Sequence, residues 1–331
     1  NLLTERYEDL GILGKGGMGT VRRVRDRLLN RVLAMKILHN RLLTSDGNVQ
    51  RFVQEAQVCA QLQHPNILPI HDLGVLDAGQ VYITMTEIRG DSLDTYIEQA
   101  HTASVEGTWN VGQNAWNLHR LIGVFHDVCK AVSYAHQHGV VHRDLKPDNI
   151  MVGPFGEVLV VDWGLAKVID VAETFAPVIT MRSESDAHAT VAGVIFGTPA
   201  YLAPELSVAE ASVANAKTDI YALGTILYEI LKGAPAFRGR TLVEILVKVA
   251  TTDPEPFTAP MDGAPAPGEA SGLTEVFVSK NGAPVPRDLV ELCARAMARD
   301  PAQRCESVAE MIETIGQWLD GSRRRDVALG L

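Results

Sequence analysis

Between Tyr7 and about Glu87, apolar and polar residues alternate and glycines punctuate the runs. Tyr7–Leu13, Val21–Asp26 and Val32–Leu38 read as strands, and so do Ile67–Leu76 and Gln80–Thr86. One helix interrupts them. Within Val49–Leu62, residues Phe52, Ala56, Cys59 and Leu62 recur at helical spacing with Glu55 beside the stripe. His64-Pro65-Asn66 ends it, because a residue before proline leaves the helical region. A small antiparallel sheet carrying one helix is the economical arrangement.

Past Gly90 the period changes. Leu93–Gln99, Leu118–Gly139, Thr218–Lys232, Leu242–Thr251, Pro286–Ala298 and Val308–Leu319 carry helical spacing. The shift divides the chain into a sheet-bearing part, 1–89, and a larger, mainly helical part, 90–320, with 321–331 as a tail: an α+β fold in two parts. Three segments fit neither pattern. Thr102–Ala115 is polar with tryptophans nearby, Val171–Gly197 is rich in small residues and hydroxyls, and Asp253–Pro286 is too proline-rich for a helix and reads as an insertion or mobile loop.

Composition narrows the classes. With 46% hydrophobic residues over 331 positions the chain can bury sizeable cores. No apolar run approaches the roughly 18 residues that a membrane span needs. Thirty basic against forty acidic residues, net −10, leave no basic footprint for nucleic acid. Arg22, Arg23, Arg25 and Arg27 alternate along a strand as a solvated face. Arg323–Arg325 fall in the tail, where a juxtamembrane stub is the minor reading. Cys59, Cys129, Cys293 and Cys305 lie far apart without a CxxC pair, so buried thiols are expected rather than zinc or disulfides. The chain starts at Asn1 with neither methionine nor signal segment, which reads as a piece of something longer.

Three constellations carry chemistry. Gly14-Lys15-Gly16-Gly17-Met18-Gly19 opens into a strand, unlike a dinucleotide fingerprint, which opens into a helix. Such a loop is either a plain hairpin or a flap whose amides approach phosphates. Lys36 stands alone in the apolar run Val32–Leu38. It either snorkels at an edge or is held inward by a carboxylate, with Glu55 as the natural partner, where the pair can grip the α- and β-phosphates of a nucleotide. The third constellation is decisive. His142-Arg143-Asp144-Leu145-Lys146-Pro147-Asp148-Asn149, followed by Val161-Asp162-Trp163-Gly164, packs charged residues into a short loop between apolar strands. Asp144 can take a hydroxyl proton, Lys146 can neutralise a moving phosphoryl group, and Asn149 and Asp162 can supply oxygen ligands for magnesium.

Together with Ala203-Pro204-Glu205, Asp219-Ile220-Tyr221-Ala222-Leu223-Gly224 and Asp300-Pro301 with Arg304, these motifs resemble the eukaryotic-like (Hanks-type) protein kinase catalytic domain from about Tyr7 to Leu319. The Gly-Gly-Met-Gly loop and Asp162-Trp163-Gly164-Leu165-Ala166-Lys167 look most like bacterial Ser/Thr kinases. The resemblance implies the two-lobed kinase fold, with an activation segment over 162–205 and an insertion at about 253–286. It implies a glycine loop (Gly14, Gly16, Gly17, Gly19) covering ATP, Lys36 on the α/β-phosphates and Glu55 fixing Lys36. Adenine would lie between Val21 and Ala34 above and Met151 below, bonded to the backbone at Thr86–Ile88, with Met85 limiting the pocket behind it. Asp144 would be the base, with Lys146 and Thr198 beside it, and Asn149 and Asp162 would hold Mg2+, or Mn2+. Glu205 and Arg304 would pair, and Asp219 would brace the catalytic loop.

The same resemblance implies protein Ser/Thr substrates and regulation by phosphorylation, with Thr190 as the modified residue, Arg143 and Lys167 meeting its phosphate, and Thr180, Ser183 and Ser185 as weaker candidates. Self-association for trans-autophosphorylation, sibling domains in a longer chain and a cytoplasmic setting, with the parent chain anchored or not, complete the expectation. Trp163 replaces the usual phenylalanine; it should pack against His142 and Cys59 and find a partner for its N–H. Thr102–Ala115 is expected near the mouth of the cleft and Asp253–Pro286 on the far side of the large lobe. A pseudokinase used as a nucleotide-gated scaffold is the alternative, although Lys36, Glu55, Asp144, Lys146, Asn149 and Asp162 are all present. A small-molecule phosphotransferase is a third.

Overall fold

A computed structural model describes residues 3–44, 46–104, 109, 116–168, 178, 198–208, 214–257 and 277–329, the last eight as backbone only. Strands β1 (Tyr7–Lys15), β2 (Gly19–Asp26) and β3 (Arg31–Leu38) are followed by helix α1 (Asp46–Gln61), then β4 (Ile70–Val75) and β5 (Val81–Met85). They form one antiparallel sheet in the order β1-β2-β3-β5-β4. Strand alternation explains its two faces. Leu33, Met35 and Ile37 of β3 join Tyr7, Val24 and Tyr82 in one core, while Ala34 and Leu38 turn to the other face, against Phe52 and Ala56 of α1. Lys36 shares that second face, so the pleat itself aims it at α1.

The helical part begins with β6 (Asp91–Ser92), α2 (Leu93–Ala103) and α3 (Leu118–Gln137). Short strands follow: β7 (Val140–Val141), β8 (Ile150–Val152), β9 (Val158–Val160) and β10 (Lys167–Val168). Then come α4 (Pro204–Val208), α5 (Ala216–Lys232), α6 (Leu242–Thr251), the hairpin β11 (Phe277–Val278) and β12 (Pro284–Val285), α7 (Arg287–Ala296) and α8 (Val308–Leu329). Helix α5 is buried from Thr218 to Lys232 and is the axis of the core. Asn215 caps its start by accepting from the Lys217 amide, and Gly233 ends it at φ 80°. The fold is α+β, with an antiparallel sheet and one helix in the smaller lobe and helices in the larger.

The structure corrects several boundaries. Helix α1 starts at Asp46 rather than Val49, because an acidic residue suits a helix N-terminus even before the apolar stripe begins. The strand read from Ile67 pairs in the sheet only from Ile70; Ile67 instead bridges Val160 of the large lobe. Helix α2 continues to Ala103, and the supposed tail continues α8 to Leu329 because Arg323–Arg325 and Ala328–Leu329 are good helix formers with no proline to stop them. The arginine face of β2 is not simply solvated. Arg22 pairs with Asp9, Arg23 with Glu87 and Arg25 with Glu8.

Described residues of the two insertions touch one another. Trp109 donates from Nε1 to the Pro284 carbonyl at 2.9 Å and packs edge-on to His101, and Asn281 donates to the His101 carbonyl. The longer α2 carries its end to the β11–β12 hairpin, so what is described of the two segments is joined. All four cysteines are buried and unpaired, as expected.

Candidate active site

The site lies where the sheet faces the β8–β9 hairpin. Gly19 approaches the neighbouring strand so closely that a Cβ there would stand 2.4 Å from the Ile37 carbonyl oxygen; that glycine serves strand packing. No atom lies within 4 Å of where a Cβ would stand on Gly14 or Gly17, and at Gly16 the nearest is 3.9 Å away. The loop is held from outside by His39, whose Nε2 is 3.0 Å from the Gly16 carbonyl, and by Arg41, which donates to the Gly17 carbonyl at 2.9 Å. Neither residue was singled out from sequence, since a polar side chain behind a loop leaves no pattern.

Lys36 Nζ donates to both oxygens of Glu55, at 2.8 and 2.7 Å, and both side chains are largely buried. Burial pulls Lys36 toward its neutral form, but the charges of Glu55 and Asp162 outweigh it and hold the ammonium. Beneath the sheet, Ala34 and Met85 are buried in an apolar cluster that Val21, Ile88, Met18, Leu159 and Val161 join. Met151 is half-buried on β8, opposite Leu159. Thr86 follows β5; its amide donates to the Pro69 carbonyl at 3.3 Å and its hydroxyl meets His71 at 3.1 Å.

The loop after β7 is tied down from below. Asp219 accepts from the amides of His142 (2.8 Å) and Arg143 (3.0 Å) and from His136 Nε2 (2.8 Å). Burial alone would push Asp219 up, yet His136, His142 and the Arg143 amide hold it below the usual carboxylate range. His136 was missed in the sequence because one histidine on a helix carries no signal. His142 is fully buried, and burial keeps it neutral. Its Nε2 faces the Val161 carbonyl at 3.2 Å while the Asp144 amide donates to Nδ1, which fixes the tautomer. Arg143 adopts φ 69° and donates to the carbonyls of Leu165 and Ala166.

With the loop so held, Asp144 becomes the hub. Its Oδ1 accepts from the Thr198 amide (2.9 Å) and hydroxyl (3.0 Å), and its Oδ2 from Lys146 (3.1 Å) and Asn149 (3.2 Å). Lys146 also donates to Thr198 Oγ1 at 2.8 Å, so Thr198 bridges the two. Asn149 spends its amide on the Asp144 carbonyl and carboxylate, which leaves its carbonyl oxygen for another ligand. Asp162 sits in the left-handed region at φ 63°, ψ 64°. Among the described residues no group of three or more His, Cys, Asp or Glu could hold a metal. One amide oxygen and one carboxylate nevertheless fit Mg2+, which takes few protein oxygens and completes its shell from phosphate and water.

Trp163 is buried against His142, ring centroids 4.5 Å apart, in the core cluster that also contains Cys59, and its Nε1 donates to the Val160 carbonyl at 3.3 Å. The expected partner exists. Gln54 of α1, also unremarked in the sequence, donates to the Ala166 carbonyl at 3.3 Å and joins the helix to the segment after Gly164. Arg304 makes a two-pronged pair with Glu205, at 2.8 and 2.7 Å. Thr190, Thr180, Ser183 and Ser185 lie outside the described residues.

A family model described as the protein kinase domain matches residues 7–314. The serine/threonine-protein kinase PknD of Protochlamydia amoebophila is 34% identical over 321 residues, covering 95% of this chain and 30% of that protein. PknD proteins of Chlamydia caviae (32% over 320 residues) and Chlamydia trachomatis (33% over 325 residues) each share 96% of this chain and 32% of their own length. The chain thus spans about a third of the length of these curated relatives. No helix among the described residues is long and apolar enough to cross a membrane.

Proposed function

The chain belongs to the protein kinase domain family, and on that premise we propose that it is a protein Ser/Thr kinase of the bacterial kind, moving the γ-phosphate of Mg-ATP to Ser or Thr hydroxyls of protein substrates. The observation that carries this reading is the Asp144–Lys146–Thr198 knot positioned by Asp219, together with Asp162 near enough to the Lys36–Glu55 pair for its charge to act on both. Adenine occupies the apolar slot of Val21, Ala34 and Met151, with Met85 behind it and backbone groups from Thr86 to Ile88 at its edge. Gly14, Gly16, Gly17 and Gly19 close over the phosphates, and Lys36 binds the α- and β-groups.

Asp144 Oδ2 receives the substrate hydroxyl, which replaces the long 3.2 Å bond from Asn149, and so orients it and accepts its proton. Lys146 offsets negative charge on the moving phosphoryl group. Asn149 and Asp162 hold Mg2+, for which Mn2+ can substitute; when bound, the metal neutralises phosphate charge. Phosphorylation of Thr190 regulates the domain by placing an anion near Arg143 and Lys167, and a second copy of the chain supplies that phosphate in trans. The kinase domain works in the cytoplasm, within a longer parent chain that carries further domains.

The test of acceptor class is a peptide series identical except for Ser, Thr, Tyr or Ala at one position. Labelled phosphate should enter the Ser and Thr peptides and neither of the others. Label in the Tyr peptide, or transfer to choline or an aminoglycoside with none to peptide, would overturn the assignment.

A further inference from the structure

Away from the cleft, the large lobe contains a chamber of about 480 Å³ that phosphoryl transfer does not use. Val290 and Ala294 on one face of α7, with Met297 just past its end, form its floor, and the rings of Tyr228, Phe257 and Phe277 form its walls. The walls are tied in place. Tyr228 donates its hydroxyl to the Glu255 carbonyl at 2.8 Å, Lys232 donates to the Pro256 carbonyl at 3.1 Å, and the Tyr228 and Phe257 rings meet at 5.1 Å.

Its charges are already spent within the protein. Asp253 pairs with Arg299 at 3.0 Å, and Arg299 also donates to the carbonyls of Ala250 and Thr252. Lys232 pairs with Glu255 at 3.0 Å. The Cys293 thiol in the floor donates to the Gly224 carbonyl, and burial holds it protonated, so it offers no nucleophile. A preformed, mostly apolar chamber of this size falls in the range that takes small molecules and is far too small to seat the face of a partner protein.

We infer that this chamber is a binding site for an uncharged, apolar small molecule, separate from the nucleotide cleft. The lining that a ligand would meet is mostly apolar and offers a charge no compensating partner, while the Arg299 guanidinium at its edge is already engaged by Asp253 and by the Ala250 and Thr252 carbonyls, so the site favours a neutral ligand. The inference does not depend on the kinase assignment.

The test uses two probes with the same ring system, neutral N-phenyl-1-naphthylamine and anionic 1-anilinonaphthalene-8-sulfonate, with saturating ADP present. The neutral probe should bind saturably at one site, and the sulfonate at least ten-fold more weakly. Ala294, exposed on α7, can be enlarged without opening the core; Ala294→Phe should weaken the neutral probe at least ten-fold while phosphate transfer is unchanged. In methyl-labelled methionine NMR, the Met297 signal should move on titration and that of Met85, in the cleft, should not. Absence of saturable binding, equal affinity for both probes, or a shift at Met85 without one at Met297 would overturn the site. Binding that appears only after deletion of 258–276 would assign the chamber to the chain itself and would also overturn it.

Discussion

A lysine in an apolar strand must find a counter-charge or leave the interior, and Lys36 finds one because Glu55 lies on the face of α1 that covers it. Both residues are readable from sequence as a candidate pair, one lysine in a strand and one glutamate beside a helical stripe; that they join, rather than the lysine leaving at an edge, was legible only from the resemblance. Trp163 is a different case. Its indole fits because the Val160 carbonyl accepts its N–H, an acceptor that no pattern in the chain announces. Trp163→Phe should therefore fold and keep activity while losing about 1–2 kcal/mol from the missing hydrogen bond and the smaller ring, read as a lower denaturation midpoint with unchanged slope. A loss of all nucleotide binding in that variant would show that the indole does more than pack.

At the scale of elements, helix α5 positions the site through side chains nearly three turns apart along it. Asp219 fastens the catalytic loop, while Glu229 accepts from Tyr201 at 2.7 Å beneath the segment that follows Thr198. Burial raises Glu229 from 4.5 to about 7. The folded state therefore holds this proton more tightly than the unfolded chain does, so stability falls as pH rises from about 4.5 to 7 and levels off above. Glu229→Gln keeps an acceptor for Tyr201 and should remove that fall, on the order of 3 kcal/mol, from the difference between wild-type and variant stability curves. Parallel curves across that window would sink the idea.

Arg304 ties α4 to the loop before α8, fully buried and bonded to Glu205 and to the Lys217 and Ala298 carbonyls. Arg304→Ala should cost about 3–5 kcal/mol, measured by urea unfolding, because it strands the partners of a buried charge. The Arg304–Glu205 pair was legible from the resemblance, and the helices were legible from their period. The ends of α1, α2 and α8 were not, because acidic starts and charged, proline-free continuations carry no apolar stripe to count.

Across the whole molecule, the sequence marked the β-to-α shift near Gly90 and, in the Asp144 hub, Asp144, Lys146 and Asn149, since charged and polar residues between apolar strands demand an explanation; Thr198 was legible only from the resemblance. It could not show that the end of α2 and the β11–β12 hairpin meet through His101 and Asn281, a contact set by how far one helix runs. Nor could it show the tethers on the glycine loop from His39 and Arg41, which depend on strand register.

The central claim, that the Asp144 hub performs phosphoryl transfer, is tested most directly by labelled γ-phosphate. The protein and its Asp144→Asn variant are incubated with magnesium, ATP and a basic protein substrate. Wild type should label the substrate and itself, with Thr190 among the mapped sites, and the variant should lose at least 100-fold in rate while ATP still raises its melting temperature. Equal labelling by both proteins, or ATP binding without transfer by either, would contradict the account and leave a nucleotide-gated scaffold in its place.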